Sequence, residues 1–302
     1  MRSIDLFRLF VLAAIWGGSF LFMRVAVPVL GAVPTAFGRV ALATAGLMAL
    51  AAVMRVSWHF KGMFKHTLLL GLINSGIPFL MFAFAAQVLP AGYSAILNAT
   101  VPLMGIVIGS TCFGERVGWV KLAGVALGLS GVAILTGAGP LALTPAVLAG
   151  VGACLIATAC YGLAGFLTRR WIVQRGGLDS RLVALGSQIG AVLFMAACLA
   201  WQLGTTPMAM PVVDTKVWMA LLALGLVCTS FAYILYFRLL ADVGPIKAMM
   251  VTFLIPVFGV LWGWLLLDEK LSLAHAIGGG LVAAAIWLVA KPDRSRGAAP
   301  SA

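Results

Sequence analysis

Ten stretches of about twenty mostly apolar residues follow one another along the chain, near 9–27, 34–54, 67–87, 92–111, 118–137, 146–168, 182–203, 216–239, 245–266 and 272–290. Twenty apolar residues in a helix are about the thickness of a bilayer's hydrocarbon core. Short breaks rich in Gly, Pro and charge separate the stretches, as in Leu89-Pro90-Ala91-Gly92, Gly114-Glu115-Arg116, Asp242-Val243-Gly244-Pro245 and Asp268-Glu269-Lys270. No break is long enough to hold a soluble catalytic domain. Charged residues make up 9% of the chain, against roughly 25% in a soluble domain. The expected fold is an all-α integral membrane protein of ten transmembrane helices. The run of apolar residues after Arg2 and Arg8 is expected to be a retained first helix and not a cleaved leader, because no clear small-residue cleavage site follows it.

The net charge of +12 is spread singly or in small groups between the apolar runs. Nucleic-acid binding would want the basic residues on one face, interleaved with aromatics, so that partner is not expected. With the N-terminus placed inside, sixteen Lys and Arg fall in inner segments and three (Arg24, Lys216 and Lys270) in outer ones. That bias predicts cytoplasmic N- and C-termini in a bacterial-type inner membrane.

Shifting the sequence by 154 residues reveals an internal repeat. Without a gap, Pro102 falls on Pro256, Gly105 on Gly259, Gly109 on Gly263, Glu115-Arg116 on Glu269-Lys270 and Gly124 on Gly278. A shorter echo at a shift of 145 links Trp16-Gly17 and Arg24 to Tyr161-Gly162 and Arg169. Five helices per repeat is an odd number, so each half must enter the membrane from the opposite side. The expectation is two inverted-topology five-helix repeats, 1–140 and 141–302, the second with a short cytoplasmic tail. Many secondary transporters are built this way, with a site at the midplane.

Trp16-Gly17 in the first stretch, Pro34 followed by Arg39 in the second, and the block from Ala85 to Leu135 carry a family resemblance. In this order, with Pro102, Gly114-Glu115-Arg116 and a glycine-rich fifth stretch, the sequence resembles the EamA-type branch of the drug/metabolite transporter superfamily. The resemblance covers nearly the whole chain. It implies a ten-helix carrier with a central cavity and with helices five and ten at the periphery. It also implies export of amino acids or related metabolites, one well-known group of the family handling aromatic and other neutral amino acids. Carriers of drugs, nucleotide-sugars or other metabolites are the alternative within the class.

Polar and aromatic residues inside the spans are candidates for the substrate cavity, because lipid cannot satisfy them, although helix packing uses them too. They are Trp16, Ser19 and Phe20 in the first stretch; Asn74, Ser75, Phe79 and Phe82 in the third; Asn98 in the fourth; Tyr161 in the sixth; and Thr229, Tyr233 and Tyr236 in the eighth. Ser75, Phe79 and Phe82 fall on Thr229, Tyr233 and Tyr236 in the repeat register, so both halves offer a polar-aromatic stripe. Pro102 and Pro256 are read as paired kinks that serve as hinges, with a static kink as the alternative. For Arg39 a structural role is favoured, against a helix C-terminus or at an interface, with a substrate carboxylate as the other reading. Gly124, Gly128, Gly131 and Gly278, Gly279, Gly280 are read as packing positions.

All eight acidic residues lie at span ends or in loops. A proton-coupled carrier usually keeps a carboxylate or His within the membrane, so uniport is expected to be possible, and neutral or zwitterionic cargo fits better than cationic cargo. No GxxxxGK[ST] motif is present for ATP. His59, His66 and His275 are dispersed, without an acid beside them in a span, so no enzyme, metal site or cofactor is expected. The five cysteines are expected to be buried, inert thiols. Remaining expectations are a small-molecule substrate and the lipid bilayer as partners, and a monomer, with a dimer as the alternative.

Overall fold

The structure, a computed structural model, describes residues 2–115, 117–138, 141–205, 213–243 and 251–290. Arg116, Pro245, Lys247 and the basic residues after Ala290 lie outside them. Ten helices occupy the described residues: α1 (Ser3–Leu30), α2 (Ala32–Val53), α3 (Phe64–Ala85), α4 (Ala91–Cys112), α5 (Trp119–Ala138), α6 (Pro145–Trp171), α7 (Ser180–Thr205), α8 (Thr215–Leu222, Ala223–Phe231 and Ala232–Val243 in unbroken succession), α9 (Val251–Leu267) and α10 (Leu273–Ala290). The first eight are long and apolar enough to cross a membrane, and α9 and α10 are shorter. Large apolar side chains such as Phe7, Phe10, Leu193, Trp201, Trp264, Leu266 and Trp287 point outward all round the bundle. A bundle that is greasy on the outside requires lipid as its solvent. The chain is a multi-pass membrane protein.

The helix neighbours come in pairs that exchange the two halves. α1 packs on α9 and α6 on α4; α2 on α8 and α7 on α3; α3 on α6 and α8 on α1. The remaining major pairs, α2 with α7, α4 with α9 and α5 with α10, are their own counterparts. Each half therefore builds its core mainly from helices of the other, as two inverted repeats about a shared axis do.

Glycines set the closest crossings, again in symmetric pairs. A Cβ on Gly17 of α1 would lie 2.7 Å from Phe258 Cβ and 2.8 Å from the Gly259 nitrogen of α9. A Cβ on Gly162 of α6 would lie 2.9 Å from the Gly105 nitrogen of α4. Gly17 and Gly162, like Gly105 and Gly259, are repeat mates. The Trp-Gly pair thus has a local logic: the glycine lets the backbones touch, and the neighbouring aromatic ring is held at that crossing. At the periphery Gly131 and Gly278 bring α5 and α10 together, each abutting the other's carbonyl, as the packing reading of the glycines anticipates.

One expectation needs correction. The cysteines are all free, but only Cys154 and Cys228 are buried; Cys160 and Cys198 are half-buried and Cys112 is exposed. In a membrane protein an apolar stretch has a lipid face, so an apolar neighbourhood in sequence does not mean the core. The two prolines sit differently in their helices. α4 is interrupted at Ala99-Thr100, directly before Pro102, and the Thr100 hydroxyl donates to the Leu97 carbonyl at 2.8 Å. Pro256 instead sits inside an unbroken α9.

Candidate functional site

The third and eighth helices each carry a π-helical segment, Leu72–Gly76 in α3 and Ala223–Phe231 in α8. At the repeat shift they coincide. A π segment widens the helix by one residue per turn, loosens the backbone ladder and is common at functional sites. Here side chains recapture the loosened carbonyls: Thr229 Oγ1 donates to the Leu224 carbonyl at 2.8 Å, and Ser230 Oγ to Gly225 and Ala43 carbonyls at 3.2 and 3.0 Å. Ser75 lies in one widened segment and Thr229 in the other. Nothing in the sequence pattern marked these segments, because a π turn has no residue signature of its own.

Around them the aromatic side chains converge. Phe20 of α1 meets Phe82 of α3 edge-on with centroids 5.3 Å apart, and Phe82 stacks towards Tyr161 of α6 at 6.3 Å. Trp16 of α1 packs on Tyr236 of α8 at 5.6 Å. Phe79 lies under the Arg39 guanidinium, whose carbon is 3.7 Å from the ring centroid. Ser75 accepts from Gln188 Nε2 of α7 at 2.9 Å, and the Tyr233 phenol lies against Ser75 and Gln188. Of the residues singled out in the sequence, Trp16, Phe20, Ser75, Phe79, Phe82, Tyr161, Thr229, Tyr233 and Tyr236 thus form one connected cluster. Ser19 is buried beside them on α1, while Asn74 and Asn98 are half-buried and hold no side-chain hydrogen bond to the cluster among the described residues.

Arg39 is the centre that sequence reasoning undervalued. It is 6% exposed and does not snorkel to an interface. Its Nε donates to Thr229 Oγ1 at 3.2 Å, and Nη1 lies 3.9 Å from the Met23 sulfur. Tyr161, Tyr233 and Cys228 are within electrostatic range. Among the described residues no carboxylate comes within 4.0 Å of it. Burying a cation costs several kcal/mol even after relaxation. A buried cation–π contact returns about 2 kcal/mol. The hydroxyl adds about 1.5–3 kcal/mol. Among the described residues one hydroxyl and one thioether sulfur are the acceptors for its five N–H donors.

Gln188, by contrast, is a residue the sequence did not flag. It is fully buried, and its Oε1 has no hydrogen-bond partner. A lone Gln in an apolar helix carries little signal by itself. Its meaning comes from symmetry. Arg39 reaches Thr229 across the α2–α8 contact, and Gln188 reaches Ser75 across the α7–α3 contact. Since Ser75 and Thr229 are repeat mates, Arg39 and Gln188 occupy equivalent places in the two halves.

Polar ties close the bundle at both ends. At one end Arg8 Nη1 of α1 meets Asp242 Oδ2 of α8 at 2.6 Å, with Arg238 Nε 3.5 Å from the same oxygen. Beside it a cavity of about 390 Å³ opens between α2, α7 and α8, lined by Leu47, Ala51, Asp179, Arg181 and Arg238 among others. At the other end Arg24 Nη1 of α1 donates to the Ala86 carbonyl at 2.9 Å. There Glu269, just before α10, accepts from the backbone N–H groups of Ala91 and Gly92 at 2.6 and 3.1 Å, capping α4. Among the described residues no group of three or more His, Cys, Asp or Glu is placed to hold a metal.

Comparison with known proteins agrees with this architecture. The chain is 27% identical over 286 residues to the uncharacterized inner membrane transporter YedA of Escherichia coli strain K12, covering 93% of this chain and 89% of YedA. It is 22% identical over 200 residues to a protein of Streptantibioticus cattleyicolor named "Probable terminal-alkyne amino-acid exporter", covering 66% and 64% of the two chains. A solved structure described only as the crystal structure of a protein shares the fold with a TM-score of 0.64 at 18% identity, over 96% of this chain and 98% of that one. The sequence profile described as the EamA-like transporter family matches twice, at residues 4–137 and 148–291. With one match in each half and the inverted pairing of helices between them, the chain belongs to the EamA-like transporter family and is a membrane transporter, not an enzyme.

Proposed function

We propose that the chain is a secondary transporter that exports neutral and aromatic amino acids, with broad specificity, by alternating access between its two halves. The observation that carries this reading is the convergence of Trp16, Phe20, Phe79, Phe82, Tyr161 and Tyr236 on the paired π segments at Ser75 and Thr229. Aromatic walls with a few placed polar groups suit a small apolar or aromatic solute. A single buried guanidinium gives little purchase on a polyanion, so a nucleotide-sugar fits less well than a singly charged head group. The name of the Streptantibioticus relative supports amino acids as the cargo class.

The units of movement in this reading are the halves 1–140 and 141–302, with the break before Pro102 as one hinge and Pro256 as its partner. Both termini face the cytoplasm, in line with the sixteen-to-three charge bias. A reporter fused after Ala302 that is active only in the periplasm should stay silent. Among the described residues no acidic side chain lies at the centre of the cluster, which supports flux down the cargo's own gradient as uniport.

The test is flux into liposomes holding the purified protein. Labelled phenylalanine and tryptophan should enter faster than into empty vesicles, and an imposed pH gradient should not change the steady accumulation. Trp16→Ala should lower phenylalanine flux about tenfold, the value of one lost aromatic contact with its packing. Absence of flux for every amino acid would reject the cargo assignment, and gradient-driven accumulation would reject uniport.

A further inference from the structure

The central cluster holds two polar groups whose bonding is incomplete, and they are of opposite character. Arg39 offers N–H donors and a full positive charge, with a hydroxyl, a thioether sulfur and an aromatic face as its described partners. Gln188 offers a buried amide oxygen with no partner. Both residues sit at the repeat-equivalent position, Arg39 on α2 against Thr229 and Gln188 on α7 against Ser75. Tyr233 lies against Gln188 and within electrostatic range of Arg39, so the two groups share a neighbour.

Buried polar atoms are almost always paired. Gln188 Oε1 is not, and a cation whose described partners are one hydroxyl, one thioether and one aromatic ring stands at the symmetric point of the same cluster; together they describe the complement of a zwitterion. The scaffold is two-fold while the two heads differ, which gives an asymmetric ligand one orientation.

We propose that Arg39 binds the carboxylate of the cargo and the Gln188 amide oxygen accepts an N–H of its ammonium group, with the side chain lying among the aromatic rings. The cargo class is then a free α-amino acid with an apolar or aromatic side chain; its esters, amides and decarboxylated amines are excluded. This rests on the central cluster being the transport site.

The experiment uses the full-length protein in liposomes and in detergent. Phenylalanine is compared with phenylalanine amide and with phenethylamine, each lacking the carboxylate, and with 3-phenylpropionate, which lacks the ammonium. In wild type, flux and ligand-induced thermal protection should follow the order phenylalanine, 3-phenylpropionate, then amide and amine near background. Arg39→Gln should raise the KM for phenylalanine by about tenfold or more and abolish protection by 3-phenylpropionate. Arg39→Lys should recover part of both, and Gln188→Leu should weaken phenylalanine while leaving 3-phenylpropionate unchanged. The ligand-free melting temperature of Arg39→Gln should not fall, because the lost ring and hydroxyl contacts are offset by the burial cost of the charge that goes with them; a structural arginine would lower it.

Equal transport of phenylalanine amide and phenylalanine, or an unchanged KM in Arg39→Gln, would overturn the assignment while leaving amino-acid export standing. If no amino acid moves at all, the export reading fails, and the thermal protection by 3-phenylpropionate decides the carboxylate site alone: protection lost in Arg39→Gln supports it, and no protection in wild type overturns it.

Discussion

Replacing Gly17 by alanine is expected to destabilise the protein strongly and to abolish transport, and Gly162→Ala is expected to do the same. At Gly17 the added methyl meets Phe258 Cβ and the Gly259 backbone nitrogen at 2.7 and 2.8 Å; at Gly162 it meets the Gly105 nitrogen and Cα at 2.9 and 3.1 Å. The obstacles are backbone, so no rotamer change relieves them and the helices must separate. Overpacking of this kind costs about 1–3 kcal/mol, and in a bundle without a hydrophobic force between helices close packing is a main source of cohesion. Separation would also move Trp16 and Tyr161, the residues next to these glycines, away from Tyr236 and Phe82. Gly165→Ala on α6 is the control, since a Cβ there meets nothing within 4 Å. Thermal melting in detergent and phenylalanine flux measure both effects. Equal stability of Gly17→Ala and Gly165→Ala would show that the crossing has slack.

Removal of the Glu269 carboxylate is the second large effect. One side chain satisfies two N–H groups at the start of α4 and sets a negative charge where the helix dipole favours it. Charge-assisted hydrogen bonds are worth about 1.5–3 kcal/mol each relative to a lost partner, so Glu269→Ala should cost about 3 kcal/mol. Glu269→Gln keeps an acceptor but loses the charge and should cost less than Glu269→Ala. Amide hydrogen exchange at Ala91 and Gly92 should quicken in both variants, and more so in Glu269→Ala. Unchanged exchange would mean that the cap does not hold α4. Its repeat mate Glu115 folds back in the same way: its own N–H donates to the Gly109 carbonyl at 2.9 Å, as that of Glu269 does to Gly263 at 3.1 Å. The residues it would face by symmetry, 245–246, lie outside the described residues.

Much of the architecture was legible because lipid imposes a coarse rule. Twenty apolar residues per crossing, short charged breaks and an ungapped repeat are all visible along one dimension, and the ten helices fall within a few residues of the ten stretches at most ends. The repeat register also placed Ser75-Phe79-Phe82 opposite Thr229-Tyr233-Tyr236, and the tertiary structure brings both stripes to one cluster. The lipid rule that reveals spans hides their facing. A stretch apolar on all sides has no amphipathic stripe, so Cys112 could not be told from Cys154, nor a packing asparagine from one in the cluster.

The sequence by itself thus determined the number of crossings, the duplication and the pairing of residues between halves, because these depend on hydropathy and on similarity at a fixed shift. The tertiary structure alone decided three things: the π segments, the glycine crossings and the exposure of Arg39 and Gln188 to one another's neighbourhood. The last two depend on contacts between helices distant in the chain, such as Gly17 with Gly259 and Arg39 with Thr229. A guanidinium's role follows from which acceptors surround it and which are missing, and that is a property of the packed bundle and not of any stretch of chain.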